Sequence, residues 1–349
     1  RNPTAQVTTS TSTETETETE TAGFQLLREV EEYVDGKVVG QKETLRGLLV
    51  AFLTGGHVLL EGFPGVAKTL LVRSLAGALH TSFGRIQFTP DLLPGDVVGA
   101  PVYHQASGEF VVHKGPVFTN LLLADEINRA PPKVQSALLE AMEEGNVTID
   151  GTTYALPHPF FVLATQNPIE QHGTYMLAEA QLDRFMMKLR MGYPDRDQER
   201  EIIERIALSP AKSAPDAPDA EPLSGVEGTR GASQILAARA ELDGVKVDRK
   251  IQEYVVDLVF ATRNPAEAGL PDFVPLLEFG GSPRASIFLT RAARAHAYLA
   301  GRDFVLPDDV KGVAHPVLRH RLRTTYEADA QGIDPDYLID RLLAVVPAP

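Results

Sequence analysis

Cysteine is absent from the 349 residues, which excludes disulfides, zinc–thiolate centres and thiol catalysis. Long apolar runs are missing too: no stretch approaches the roughly 20 residues that a membrane helix needs. The start lacks a charged region followed by an apolar one, so no signal peptide is expected, and a cytoplasmic protein without membrane insertion is the expectation. Basic residues are scarce, 33 Lys and Arg against 47 Asp and Glu, for a net charge of −14. Proteins that grip duplex DNA carry a basic face, so this balance argues against nucleic acid as a partner. What is present is a chain 43 % hydrophobic, enough for a sizeable core, and long enough for two domains.

The chain is organised around Glu61-Gly62-Phe63-Pro64-Gly65-Val66-Ala67-Lys68-Thr69-Leu70. An apolar run, His57-Val58-Leu59-Leu60, leads in, and Leu70, Leu71, Leu75 and Leu79 lead out at helical spacing. Strand, glycine-rich loop, Lys-Thr and helix together describe a phosphate-binding loop. Gly62 and Gly65 let backbone N–H groups close around a phosphate, and the helix that follows offers its free N–H groups and positive dipole end. Lys68 can reach the outer phosphates, and the Thr69 hydroxyl can ligate Mg²⁺. Ala67 stands where glycine is usual before the lysine, and alanine is comfortable only at φ below zero.

Asn120-Leu121-Leu122-Leu123-Ala124-Asp125-Glu126 reads as a buried parallel strand ending in two carboxylates. Open α/β sheets place their ligands at that end. Asp125 would hold Mg²⁺ and Glu126 would act as general base on water. A further apolar strand, Phe160-Phe161-Val162-Leu163-Ala164-Thr165, ends at Gln166-Asn167-Pro168. Asn167 there can sense the γ-phosphate or orient water; Asn-Pro is also a turn signal, and the two readings are compatible. Arg184 precedes a fifth strand, where it can pair with a local acid or reach a neighbour's γ-phosphate. Arg284 follows Gly280-Gly281-Ser282-Pro283 at a helix start, where a cation opposes the helix dipole and so calls for a bound anion. Val38-Val39-Gly40-Gln41, ahead of the nucleotide domain, is either an adenine seat at Gly40 and Gln41 or simple core packing; spacing does not separate the two.

Residues 1–22 form a Thr/Glu-rich tail with almost nothing to bury, expected to be disordered. Residues 23–208 read as the nucleotide-binding core. Within it, residues 89–116 carry a small hairpin, and Asp150-Gly151 marks a second. His104 and His113 lie in the first interval without a third ligand at suitable spacing and read as surface histidines. Residues 209–233 are rich in Pro, Ala and Asp and read as a linker. Residues 234–349 are helical by period, with Pro or Asp opening the helices.

Taken in order, these motifs resemble those of an AAA+ ATPase, and their wording is similar to the MoxR family: Gly-Phe-Pro-Gly-Val-Ala-Lys-Thr, Ala-Asp-Glu-Ile-Asn-Arg-Ala, Ala-Thr-Gln-Asn-Pro, Glu-Ala-Gln-Leu-Asp-Arg-Phe, the run at residues 301–310, and His320-Arg321. The similarity runs from Phe24 to the C-terminus. The resemblance implies an α/β fold, with a P-loop AAA+ parallel sheet flanked by helices and a C-terminal all-helical lid. It also implies an ATPase using ATP and Mg²⁺. Phosphates would lie on Gly62, Pro64, Gly65, Val66, Ala67, Lys68, Thr69 and Leu70, with Mg²⁺ at Thr69 and Asp125. Glu126 is the water-activating residue, Asn167 resembles sensor 1, Arg184 the finger acting in trans, and Arg284 sensor 2. Members form rings, so the resemblance implies a homo-oligomer, with a hexamer as the expectation. They act as chaperone-like ATPases that activate a client or load metal into it, often with a von Willebrand factor A domain protein. The alternative is a DNA-associated AAA+ motor, but residues 103–113 hold no Lys or Arg at the hairpin tip.

Overall fold

A computed structural model describes residues 21–63, 65–106, 108–167, 173–208 and 228–349. Nearly all of the expected tail and most of the expected linker lie outside the described residues. Two helices come first, α1 (Ala22–Asp35) and α2 (Lys42–Leu53). β1 (Val58–Gly62) feeds α3 (Lys68–Ala78), and β2 (Phe83–Gln87) follows. A short α4 (Pro94–Val98) leads into the hairpin of β3 (Gly99–His104) and β4 (Glu109–Lys114). β5 (Leu121–Asp125) precedes α5 (Pro132–Glu144), and β6 (Asn146–Ile149) with β7 (Thr152–Ala155) makes the second hairpin. β8 (Phe161–Gln166), α6 (Glu179–Leu182), β9 (Met187–Met191) and α7 (Arg196–Ile202) complete the core.

β1, β2, β5, β8 and β9 form one five-stranded sheet in the order β2-β5-β8-β1-β9, with every pairing parallel. The reason is visible in β5, where Leu121, Leu122, Leu123 and Ala124 are all fully buried. A strand apolar on both faces must be covered by helices on both, which is the parallel arrangement. Both expected hairpins form. Asp150 and Gly151 take positive φ, +50° and +77°, and Ile149 faces Thr152 across the two-residue loop.

His57, just ahead of β1, ties the amino edge of the sheet. Its Nδ1 accepts from the Val162 N–H at 3.0 Å, and its Nε2 meets the Met142 carbonyl at 3.1 Å. The imidazole is buried, and its pKa is pushed down to about 4 by burial, with the Met142 hydrogen bond opposing and Arg239 adding to the shift. The ring is therefore neutral, donating from Nε2 and accepting at Nδ1.

The remainder is α8 (Gly228–Leu242), α9 (Arg249–Arg263), α10 (Pro283–Leu299), α11 (Pro307–Leu318), α12 (Tyr326–Ala330) and α13 (Pro335–Val345), with β10 (Leu277–Phe279) paired to β11 (Arg323–Thr324). α8 begins at Gly228, inside the stretch that composition marks as linker. Ile235 and Ala238 bury one side of it, and Arg239 donates to the Phe52 carbonyl of α2 at 2.7 Å. The lid is pinned internally by Asp309, 1 % exposed. It accepts from Arg302 at 2.7 and 2.5 Å, meets His296 at 2.8 Å, and accepts from the Leu306 N–H at 2.7 Å. Burial alone would raise its pKa, but those donors hold it well below the usual carboxylate range. Core and lid share one continuous apolar interior, from Leu27 through Leu60 and Leu189 to Leu342.

Candidate active site

β1 ends at Gly62, and a Cβ there would stand 2.9 Å from that of Met191 on β9. Gly65 sits at φ +84° with open space where a side chain would point. Pro64, between them in the motif, lies outside the described residues. Val66 is buried, and Ala67 holds φ +58°, ψ +29°. Alanine therefore occupies the left-handed region that the sequence motif flags, at a cost of about 1 kcal/mol relative to an ordinary helical residue. α3 starts at Lys68, placing Thr69 and Leu70 in its first turn beside the free N–H groups. Lys68 Nζ donates to the Gly62 carbonyl at 2.7 Å. Burial lowers its pKa, while the nearby carboxylates of Asp125 and Glu126 push the other way.

Asp125 closes β5, and its backbone faces Gln87 on β2. Its carboxylate accepts from the Thr165 hydroxyl at 2.7 Å and pairs with Arg85 at 2.7 Å. The same hydroxyl accepts from the Glu126 N–H at 2.8 Å. Glu126 is at φ +56°, and its carboxylate is held by Gln87 at 2.9 Å and Arg129 at 3.0 Å. Asn167 follows β8, the strand between β5 and β1, and is buried. Lys68, Thr69, Asp125, Glu126 and Asn167 thus share the carboxyl edge of the sheet. Gly65 leaves open space there for a phosphate, and the hard oxygen donors Thr69 and Asp125 suit Mg²⁺ in chemistry.

A cleft of about 940 Å³ lies alongside, lined by Gly40, Gln41, Tyr193, Gln198, His315 and Arg319 among others. Phe63 of the phosphate loop stacks on Tyr193 with centroids 4.8 Å apart and planes 9° apart. In the segment read as either seat or packing, Val38 is buried in the core, while Gly40 and Gln41 line the cleft.

The two arginines are elsewhere. Arg184 pairs with Glu143 at 2.9 Å, and Arg284 pairs with the other oxygen of the same carboxylate at 2.5 Å. Glu143 is next to Met142, whose carbonyl is bonded by His57 ahead of β1. The Met186 N–H donates to the His57 carbonyl at 2.8 Å. Both arginines therefore stand at the amino edge, separated from the phosphate loop by the length of β1, about 17 Å for its five residues. Arg284, placed by sequence at a helix start needing an anion, finds a carboxylate there.

Sequence reasoning missed Thr165, Gln87, Arg85, Arg129 and Glu143. Arg85 and Gln87 alternate on β2, but their role appears only once β2 is known to lie beside β5. Glu143 is one acid among many on an amphipathic helix and carries no local signal.

Among the described residues no helix is long and apolar enough to cross a membrane. Residues 57–187 match the ATPase family associated with various cellular activities (AAA), and residues 274–342 match the AAA lid domain. The chain is 48 % identical to the chaperone MoxR1 of Mycobacterium tuberculosis over 312 residues, 89 % of this chain and 79 % of that protein. It is 37 % identical to protein MoxR of Paracoccus denitrificans, covering 92 % of this chain and 96 % of the other. The solved structure of a Cytophaga hutchinsonii protein assigned as an ATPase superposes with a TM-score of 0.83 at 46 % identity, over 94 % of this chain and 96 % of that one. Identity at this level along nearly the whole length, on top of the phosphate loop and its Asp-Glu strand, places the chain in the MoxR family of AAA ATPases.

Proposed function

We propose that this chain hydrolyses ATP with Mg²⁺ as a ring, most simply a hexamer, in which each nucleotide site is completed by the next subunit. One observation carries the reading: the phosphate loop and the two arginines occupy opposite edges of one sheet, so a single subunit does not assemble both. Lys68 exchanges its bond to the Gly62 carbonyl for the outer phosphates, whose charge the N-terminus of α3 also offsets. Mg²⁺ on Thr69 and Asp125 would neutralise charge on the phosphate oxygens. Glu126 takes the proton of the attacking water, and Asn167 orients that water. The Thr165 hydroxyl fixes the Asp125 carboxylate and the Glu126 backbone N–H at once. Gly40 and Gln41 seat the adenine in the adjoining cleft. Arg184 and Arg284 leave Glu143 for the γ-phosphate held by the neighbour.

The name chaperone borne by the Mycobacterium relative supports a client protein as the object of this work. Activation of that client or metal insertion into it, with a von Willebrand factor A domain partner and in the cytoplasm, is the specific form proposed. The hairpin tip supports a protein rather than DNA: it exposes Tyr103 and Phe110, paired at 5.4 Å, with Lys114 only at its base.

The test is nucleotide binding and turnover in two variants. Lys68→Ala should lose ATP binding; intact affinity removes the phosphate loop from the reading. Glu126→Gln should bind ATP with kcat lowered on the order of 10²–10⁴, and in ATP it should retain the client on purification. Near-normal kcat in that variant moves the base elsewhere.

A further inference from the structure

The lid meets the arginine edge at two adjacent side chains: His320, whose Nε2 meets the Phe185 carbonyl at 2.9 Å, and the buried Arg321, whose side chain is 1 % exposed. Its Nε donates to Asp183 Oδ1 at 2.8 Å. Its Nη2 donates to the carbonyls of Asp183 at 3.0 Å and Phe185 at 2.6 Å. Its Nη1 donates to the carbonyl of Met186 at 3.1 Å and to that of Val317. Arg321 therefore grips the backbone on both sides of Arg184.

The same group touches the other arginine's helix. The guanidinium lies over the Phe288 ring, 5.0 Å from its centroid, one turn beyond Arg284 on α10. The second oxygen of Asp183 accepts from the Ser282 hydroxyl at 2.7 Å, and Ser282 caps that helix by accepting from the Arg284 N–H at 3.1 Å. One guanidinium and one carboxylate thus join the backbone that carries Arg184 to the first turn that carries Arg284. The outcome is visible at the tips: the two arginines straddle the two oxygens of one anion, Glu143. Plain docking of the lid would need apolar contact and one or two bonds anywhere on the sheet edge. Here the planar fork is directed at the carbonyls of Asp183, Phe185 and Met186, on either side of Arg184, which fixes orientation as well as position.

We propose that Arg321, working through Asp183, is a positioning residue for phosphoryl transfer in the neighbouring subunit: it sets Arg184 and Arg284 at the separation at which both engage one phosphate, and carries movement of the lid to both at once. This rests on the reading that these arginines act in trans. Arg321 itself touches no nucleotide.

The experiment uses the full chain with Arg321→Lys, which keeps the charge and loses the fork, and Asp183→Asn, which keeps the shape and the Ser282 bond. Steady-state ATPase, equilibrium binding of a fluorescent ATP analogue and oligomer mass are measured for each. Each is then mixed, with subunit exchange confirmed, with Lys68→Ala and separately with Arg184→Ala. The expected result is kcat lower by tenfold or more, with nucleotide Kd within twofold of wild type and the assembly unchanged. Activity should return on mixing with Lys68→Ala, whose arginine edge is intact, and should not return with Arg184→Ala. Should Arg321→Lys fail to fold, Asp183→Asn carries the same comparison. Unchanged kcat in a folded variant, or a loss of nucleotide affinity that accounts for the fall, overturns the proposal. Mixing Arg184→Ala with Lys68→Ala is the control. Recovery there without recovery for Arg321→Lys overturns this inference alone. Failure of the control pair overturns the trans reading and this inference with it.

Discussion

Lowering the pH from 7.5 to 5 should destabilise the protein through His57 by about 2 kcal/mol. In the fold its imidazole is pushed down from 6.5 to about 4, chiefly by burial. A depressed histidine is stabilising, relative to its titration, above the unfolded value and loses that contribution as pH falls. Above pH 6.5 neither state binds a proton. Below it the unfolded chain protonates and the folded ring does not, so the unfolded state gains about 1.4 kcal/mol per pH unit. That gives about 2 kcal/mol by pH 5 and a limit of about 3 kcal/mol near pH 4. The comparison variant is His57→Phe. It leaves the Val162 N–H and the Met142 carbonyl unpaired, which costs about 1–3 kcal/mol at neutral pH, but it has nothing to titrate. Urea midpoints across this pH range, at constant ionic strength, should show wild type ahead at pH 7.5 and the two curves converging near pH 5. Carboxylates and the other histidines titrate in both proteins and cancel. Parallel curves, or a His57 resonance titrating near 6.5 in the folded protein, would refute the argument.

Ala67→Gly should raise stability by up to about 1 kcal/mol in thermal unfolding, because glycine removes the left-handed strain at φ +58° but adds freedom to the unfolded chain; a clear loss would show that the loop relaxes the strain elsewhere. Asp309→Asn should cost about 3–5 kcal/mol, since it leaves Arg302 without its buried partner, and a change below 1 kcal/mol in chemical denaturation would count against that node. Thr165→Val should cost about 1–3 kcal/mol by removing the hydroxyl that serves Asp125 and the Glu126 N–H. It should also lower kcat, and full turnover in that variant would show that the two carboxylates need no such support.

Local chemistry made the carboxyl edge legible. Gly65, Lys68, Thr69, Asp125 and Glu126 sit in short runs whose apolar flanks announce strand and helix, and strand ends are where α/β sheets bind ligands. The hairpins were legible for the same reason, Asp150-Gly151 being a turn in its own right. What stayed hidden depends on distant pairing. Gln87 reaches Glu126 only because β2 lies against β5. Arg284 was readable as a cation needing an anion, but which anion depends on how α10 docks, and that rests on Arg321 and Asp183, far apart in the chain. His57 looked like the start of an apolar run, and its value lies in two backbone partners that no spacing rule connects. The start of α8 was masked by composition, since Gly and Thr open a helix whose stability comes from burying Ile235 and Ala238.

Under the proposed trans reading, the separation of phosphate loop and arginines onto opposite sheet edges turns activity into a matter of counting junctions. In an open row of subunits one loop at the end always faces solvent, so a dimer has one working site for two chains and a trimer two for three. Closing the row into a circle supplies the missing junction, and every chain then works. Specific activity should therefore climb with row length and jump to its full value at closure, whatever the number in the circle. A defective arginine edge silences the adjacent chain's site and spares its own, so mixed assemblies should lose activity in proportion to the defective share rather than collapse at the first faulty member.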